Sequence, residues 1–210
     1  MKTAMVWGAS GGIGTALVKR LVDEGWRVLS VARDPGAVTY LTSEVVEADV
    51  SDPHSVRQAV ARAEELVETV DLWIYAIGDI TSLKTEEMSP EDWGRILAAN
   101  LTGAYQAVHY SLPLLTPDAH MVFLGAVSER LRLPGLAAYA SAKAGLEAFA
   151  EVLRKEQRRR RVTLVRPKAV ETPLWEKVPF SVPHGAMSPE MLAEAVLQAN
   201  QDGHSGVLNL

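Results

Sequence analysis

Short apolar runs alternate with helical repeats from one end of this chain to the other. The runs are TAMVW (residues 3–7), RVLSVA (27–32), EVVEAD (44–49), DLWIYAIG (71–78), HMVFLGAV (120–127), RVTLVRP (161–167) and GVLNL (206–210). Most are continuously apolar rather than alternating, the pattern of a strand covered on both faces. Between them apolar residues return at helical spacing, as at Ile13, Leu17, Leu21 and Val22. Helix ends are written locally. Gly25 stops the first helix, Asp52-Pro53 opens the second, and Ser89-Pro90 opens one running to about residue 112. A further helix covers about 138–157, and Ser188-Pro189 opens the last. Parallel strands need crossovers, and right-handed crossovers put helices on both faces of the sheet. The expectation is a doubly wound α/β fold: a mostly parallel sheet of about seven strands, in one domain over residues 1–210.

Composition removes several function classes. A chain of 210 residues with 48% hydrophobic and 22% charged residues can bury a sizeable core. The net charge of −5 argues against a nucleic-acid partner. The run RKEQRRRR (154–161) reads as a solvated helix end, where cations complement the dipole. Without cysteine there is no disulfide, thiolate metal site or thiol nucleophile, which fits a reducing compartment. One Lys precedes TAMVWGA and glycines then interrupt the apolar run, unlike a signal peptide. No window holds the roughly 18 apolar residues of a membrane span. The reading is a cytoplasmic protein with no membrane partner. Histidines 54, 109, 120, 184 and 204 show no close ligand pair, so no catalytic metal is expected.

The stretch MVWGASGGIG (5–14) admits three readings. Gly8, Gly12 and Gly14 follow a parallel strand and precede a helix, so the backbone can cradle a phosphate at the helix N-terminus. The spacing is G-x-x-x-G-x-G, not the general G-x-G-x-x-G. The same residues contain G-x-S-x-G, the nucleophile elbow of serine hydrolases, with Ser10 as nucleophile. That reading needs a downstream acid and histidine, and the elbow usually follows several strands rather than the first. The third reading is a tight turn without a ligand.

The stretch AAYASAKAG (137–145) puts Tyr139 and Lys143 four apart, on one face of a helix. An ammonium beside a phenol favours the phenolate and lowers its pKa, making a general acid or base usable nearer neutral pH. Alone, such a pair is common by chance.

The glycine loop, Y-x-x-x-K and VRPKAVETPL (165–174) occur here in order, and together they resemble the short-chain dehydrogenase/reductase family over nearly the whole chain. The resemblance implies a Rossmann fold, a nicotinamide dinucleotide and hydride exchange with a carbonyl or secondary alcohol. It implies that Tyr139 is the acid/base, that Lys143 holds the nicotinamide ribose and tunes Tyr139, and that Asn100 in NLTG orders a water-linked proton path. Gly8, Ser10, Gly12, Ile13 and Gly14 fall at the phosphates and ribose. Asp49 and Val50 fall at the adenine, and Ala76 and Gly78 beside the cofactor. Pro167, Val170 and Thr172 fall at the nicotinamide end. The family's helices at these positions often build a homodimer or homotetramer. Its segment over 172–189 lids the substrate, here with Leu174, Trp175 and Phe180 as an apolar wall for a small carbonyl or alcohol.

The chain departs from the family at several points. Ala126 stands where a serine usually polarises the substrate oxygen, and Ser128, the nearest hydroxyl, is the catalytic candidate in its place if the strand end is displaced. Losing such a donor costs about 100-fold or more, so a dinucleotide-binding protein with weak or lost catalysis is the alternative to a reductase. Trp7 replaces a threonine, YAIG (75–78) replaces N-N-A-G, and Lys168 replaces a glycine. At the end of the second strand Ala32 replaces the acid that selects NAD, and Arg33 follows with a fork suited to a 2′-phosphate. NADP(H) is therefore expected over NAD(H), with Asp34 as the counterargument.

Overall fold

The computed structural model describes residues 1–42 and 44–210. Seven strands form one sheet: β1 (Thr3–Trp7), β2 (Arg27–Ala32), β3 (Val45–Glu47), β4 (Val70–Tyr75), β5 (Leu115–Leu124), β6 (Arg161–Arg166) and β7 (Gly206–Asn209). Their order is β3-β2-β1-β4-β5-β6-β7, and every pairing is parallel. The helices are α1 (Gly12–Asp23), α2 (Pro53–Leu66), α3 (Pro90–Leu97), α4 (Gly103–Ser111), α5 (Ala137–Glu156) and α6 (Pro189–Gln201). This is the expected doubly wound Rossmann arrangement. Side chains alternate across β1. Val6 packs with Leu17, Leu21 and Val196 of α1 and α6, while Met5 and Trp7 pack with Trp73, Phe123 and Leu146 on the other face. No described helix is long and apolar enough to cross a membrane.

The local signals act as their chemistry requires. The His54 N–H donates to the Asp52 carboxylate (2.9 Å), Asp92 N–H to Ser89 Oγ (3.0 Å) and Met191 N–H to Ser188 Oγ (3.2 Å). Gly25 ends α1 at φ +78°, a backbone that favours glycine.

Strand β3 covers only Val45–Glu47 of the expected 44–49, and three other boundaries differ further from the sequence reading. Strand β4 stops at Tyr75 rather than residue 78, because the chain leaves the sheet there to meet the glycine loop. Strand β5 starts earlier, at Leu115, and ends at Leu124, with a register shift against β4 between Val70 and Leu72. The helix expected from Ser89 to about 112 is broken by a wide π turn over Ala98–Thr102. The Tyr75 hydroxyl donates to the Ala99 carbonyl inside that turn (2.8 Å). Gly103 closes it in a space with no room for a methyl group: a Cβ there would lie 2.6 Å from the Ala98 oxygen.

At the other end of the sheet, His120 of β5 is 0% exposed. Its Nδ1 lies 3.0 Å from Asn200 Oδ1 and its Nε2 lies 2.8 Å from Thr163 Oγ1, both at hydrogen-bond distance. Burial holds its pKa down at about 4, against 6.5 when free. Between these values the unfolded chain binds a proton that the folded chain refuses, so stability is full above about pH 6.5 and falls toward pH 4. The loss amounts to about 3 kcal/mol. Urea unfolding followed from pH 7 to 4 should show this decline, and His120→Gln should flatten it. An identical decline in the variant would assign the pH dependence to other groups.

Candidate active site

Strand order reverses beside β1: β2 lies on one side and β4 on the other. The crevice beyond the carboxyl ends at such a reversal is where open α/β sheets bind ligands. Most of the residues singled out in the sequence lie along it.

The glycine loop is built by backbone contact. Gly8 has φ +84°, and a Cβ on it would lie 2.8 Å from Ile77 Cγ1. A Cβ on Gly14 would lie 2.0 Å from the Gly8 oxygen. Gly11, at the start of α1, has no side chain to cap the helix, which leaves the leading N–H groups at Gly12 and Ile13 for another partner. Ser10 is exposed. Among the described residues no histidine hydrogen-bonds Ser10, and no residue other than glycine has positive φ, so the strained geometry of a nucleophile elbow is missing.

At the ends of β2 and β3, Arg33 is exposed. The Asp34 carboxylate turns back to accept the Gly36 N–H (3.0 Å). The Asp49 carboxyl is held below the usual range by the Ser51 N–H and hydroxyl (2.9 and 2.7 Å), with help from the charge of Arg33. Val50 is buried beside Gly103.

Asn100 sits in the π turn and is fully buried. Its Nδ2 donates to the carbonyls of Asp79 (2.7 Å) and Ile96 (2.9 Å), while its buried Oδ1 has no partner. A Cβ on Gly78 would lie 3.3 Å from that oxygen and 4.0 Å from Lys143 Nζ, so three elements converge on one point. Ala76 N–H donates to the Trp7 carbonyl (2.8 Å) and fixes the loop that carries Gly78. Lys143 Nζ donates to the Leu124 carbonyl (2.9 Å) and lies 5.6 Å from the Tyr139 ring centre. Burial pushes the Tyr139 hydroxyl up to about 12 and the Lys143 ammonium down to about 8. The phenol thus moves opposite to the lowering expected from the Lys143 ammonium, and burial is the cause of both shifts.

Ser128 is not brought to Tyr139. Its hydroxyl donates to Glu147 Oε2 (3.1 Å), and Glu147 lies roughly 12 Å further along α5 than Tyr139. Glu147 and Glu129 are both paired with Arg166, which also donates to the Ala126 carbonyl (3.2 Å).

The segment after β6 folds over the crevice. Pro167 and Val170 are buried, and the Val170 carbonyl accepts from Trp175 Nε1 (2.8 Å). Thr172 Cγ2 and Pro173 Cδ would lie 3.3 and 3.4 Å from a Cβ on Gly12. Leu174 and Val178 pack on the cluster of Ile80, Ile96, Leu136 and Tyr139. Phe180, expected beside Leu174, is exposed instead. Two residues were missed from the sequence. Tyr75 braces the π turn, and a departure from N-N-A-G was its only trace. Asp79 binds Arg95 and Lys177, one of them 98 positions away, with no local signal. A groove of about 540 Å³ at the opposite end of the sheet contains none of these residues.

Relatives carry the same architecture. The family model for short chain dehydrogenases matches residues 2–180. An oxidoreductase of Staphylococcus epidermidis is 27% identical over 217 residues, spanning 98% of this chain and 94% of the relative. The 3-oxoacyl-(acyl-carrier-protein) reductase MabA of Mycobacterium tuberculosis is 28% identical over 190 residues, or 89% of this chain and 76% of its own. The 3-ketoacyl-(acyl-carrier-protein) reductase of Brucella melitensis, solved with NADH, superposes with a TM-score of 0.89 at 26% identity, over 100% of this chain and 96% of that one. A match over most of the chain, on the fold that forms this crevice, makes the protein a member of the short-chain dehydrogenase family.

Proposed function

We infer that the protein is an NADP(H)-dependent reductase of small carbonyl compounds, acting on secondary alcohols in reverse. We take residues 1–210 as one dinucleotide-binding domain. The observation that carries this reading is the convergence of Gly78, the unpartnered Asn100 Oδ1 and Lys143 Nζ beside a buried Tyr139. A buried acceptor without a partner is costly unless something binds there. Such a point suits a ribose hydroxyl and an ordered water, and the uncapped start of α1 suits a pyrophosphate.

When bound, the nicotinamide dinucleotide supplies the hydride for the carbonyl carbon. Gly8, Ser10, Gly12, Ile13 and Gly14 would hold its phosphates, and Asp49 and Val50 its adenine. Ala76 and Gly78 would leave room for the ribose, which Lys143 would hold. Pro167, Val170 and Thr172 would border the nicotinamide. Tyr139, with its pKa near 12, keeps its proton at neutral pH and gives it to the carbonyl oxygen. Lys143 stays charged below about pH 8 and stabilises the phenolate left behind. The unpartnered Asn100 Oδ1 would accept from a water that returns the proton. Leu174 and Val178 make the substrate side apolar. A 3-oxo group on an acyl chain, named for two relatives, belongs to this class. Exposed Tyr105 and Val152 beside Phe149 on α4 and α5 favour a homodimer or homotetramer. A cytoplasmic setting agrees with a chain without cysteine.

The cofactor choice rests on Arg33, with Asp34 committed to its own turn. A second reading, dinucleotide binding with weak catalysis, is favoured by Ala126 and by the commitment of Ser128 to Glu147.

Fluorescence titration should give tighter binding of NADPH than of NADH. Arg33→Ala should weaken NADPH about tenfold and spare NADH; equal losses would remove Arg33 from the 2′-phosphate site. Tyr139→Phe should lower carbonyl turnover roughly a hundred- to ten-thousand-fold with dinucleotide affinity unchanged, and retained turnover would end the acid/base role. Ala126→Ser should raise kcat about 100-fold. No gain, in a protein that binds NADPH but turns over no carbonyl, would favour the second reading.

A further inference from the structure

Asp79 follows the loop at the end of β4 and touches three parts of the site at once. Its backbone carbonyl accepts from Asn100 Nδ2 (2.7 Å). Its carboxylate accepts from Lys177 Nζ (2.6 Å), in the segment that covers the crevice, and pairs with Arg95 of α3, just ahead of the π turn. The Ile80 N–H donates to the same carboxylate (3.0 Å). The Asp79 side chain is only 15% exposed, and that of Lys177 is 52% exposed. Lys177 lies at the end of the turn Pro173–Lys177, whose first residues rest on Gly12 and whose Leu174 packs toward Tyr139. No other ion pair among the described residues ties this segment to the rest of the chain.

We propose that Asp79 is a positioning residue that latches the cover through Lys177 and, through its carbonyl, sets the Asn100 amide, so that closing the site and aligning its buried amide are coupled. The importance of Asn100 to turnover rests on the reductase reading; the coupling itself is mechanical. With the cover closed, the carboxylate is fixed between Lys177 and Arg95, and the short loop from Gly78 to Ile80 cannot move without moving the oxygen that holds Asn100. With Lys177 released, the Asp79 carboxylate keeps only Arg95 and the Ile80 N–H, and the loop gains freedom on the side facing the crevice. A half-exposed ion pair is weak enough to break on each opening and strong enough to bias the closed form about fivefold.

Hydrogen–deuterium exchange of the intact protein tests this without a substrate. Lys177→Met changes an exposed side chain and should leave the fold intact. In it, amides of residues 172–188 and of 96–103 should both exchange about fivefold faster, and Lys177→Arg should restore both. Asp79→Asn should resemble Lys177→Met, and the double variant should be no worse than Asp79→Asn alone. Unchanged exchange in 172–188 overturns the latch, and loosening confined to 172–188 overturns the coupling to Asn100. With a carbonyl substrate, Lys177→Met should raise KM and lower kcat, both rescued by Lys177→Arg; a change in KM alone again overturns the coupling. Failure of the wild-type protein to reduce any carbonyl would refute the reductase reading, while the exchange of the two segments would still decide the latch.

Discussion

Backbone packed against backbone, with no space for a methyl group, governs the start of this fold. A Cβ on Gly14 would lie 2.0 Å from the Gly8 oxygen, and one on Gly8 would meet Ile77 at the end of β4. This contact sets the angle at which α1 leaves the sheet. It brings the uncapped helix start to the crevice and packs α1 against α6. It also brings Gly12 under Thr172 and Pro173, so the loop fixes where the cover can rest. The glycines are thus required twice, by the turn itself and by what the turn leaves open above it.

Burial is the second organising force. Tyr139, Lys143 and Asn100 are all largely removed from water, and Lys143 and Asn100 keep enough partners to be tolerated. Lys143 has one carbonyl, and Asn100 has two donors used and one acceptor idle. Desolvation alone drives the phenol up and the ammonium down. The site is therefore poised to hold a proton on oxygen, the state a proton donor needs, before any ligand arrives.

The outline of the fold was legible because its signals are local. Strands β1 and β2 follow the apolar runs to the residue, and the Asp52, Ser89 and Ser188 caps sit at the helix starts read from sequence. Tyr139 and Lys143 share a helix face because four residues make about one turn. What escaped the sequence depends on distant partners. The π turn is held by Tyr75, 24 positions away from Ala99, so the helix read as continuous. Ser128 looked like a substitute for the missing serine by proximity along the chain, yet Glu147, 19 positions on, holds its hydroxyl. The direction of the Tyr139 shift is not legible in the Tyr–Lys pair, because two letters carry charge but not depth.

The π turn has one more consequence. An extra residue in a helical turn rotates everything after it by about 100°. Upstream, Ile96 and Leu97 face the pocket cluster with Ile80 and Tyr139; downstream, Ala104, Ala107 and Val108 face the sheet. One continuous rod could not present both apolar stripes in these directions. The phase change divides the rod into two modules, one shaping what enters the crevice and one maintaining the core. Residues of α3 can therefore change with the substrate while α4 stays under the constraint of the sheet.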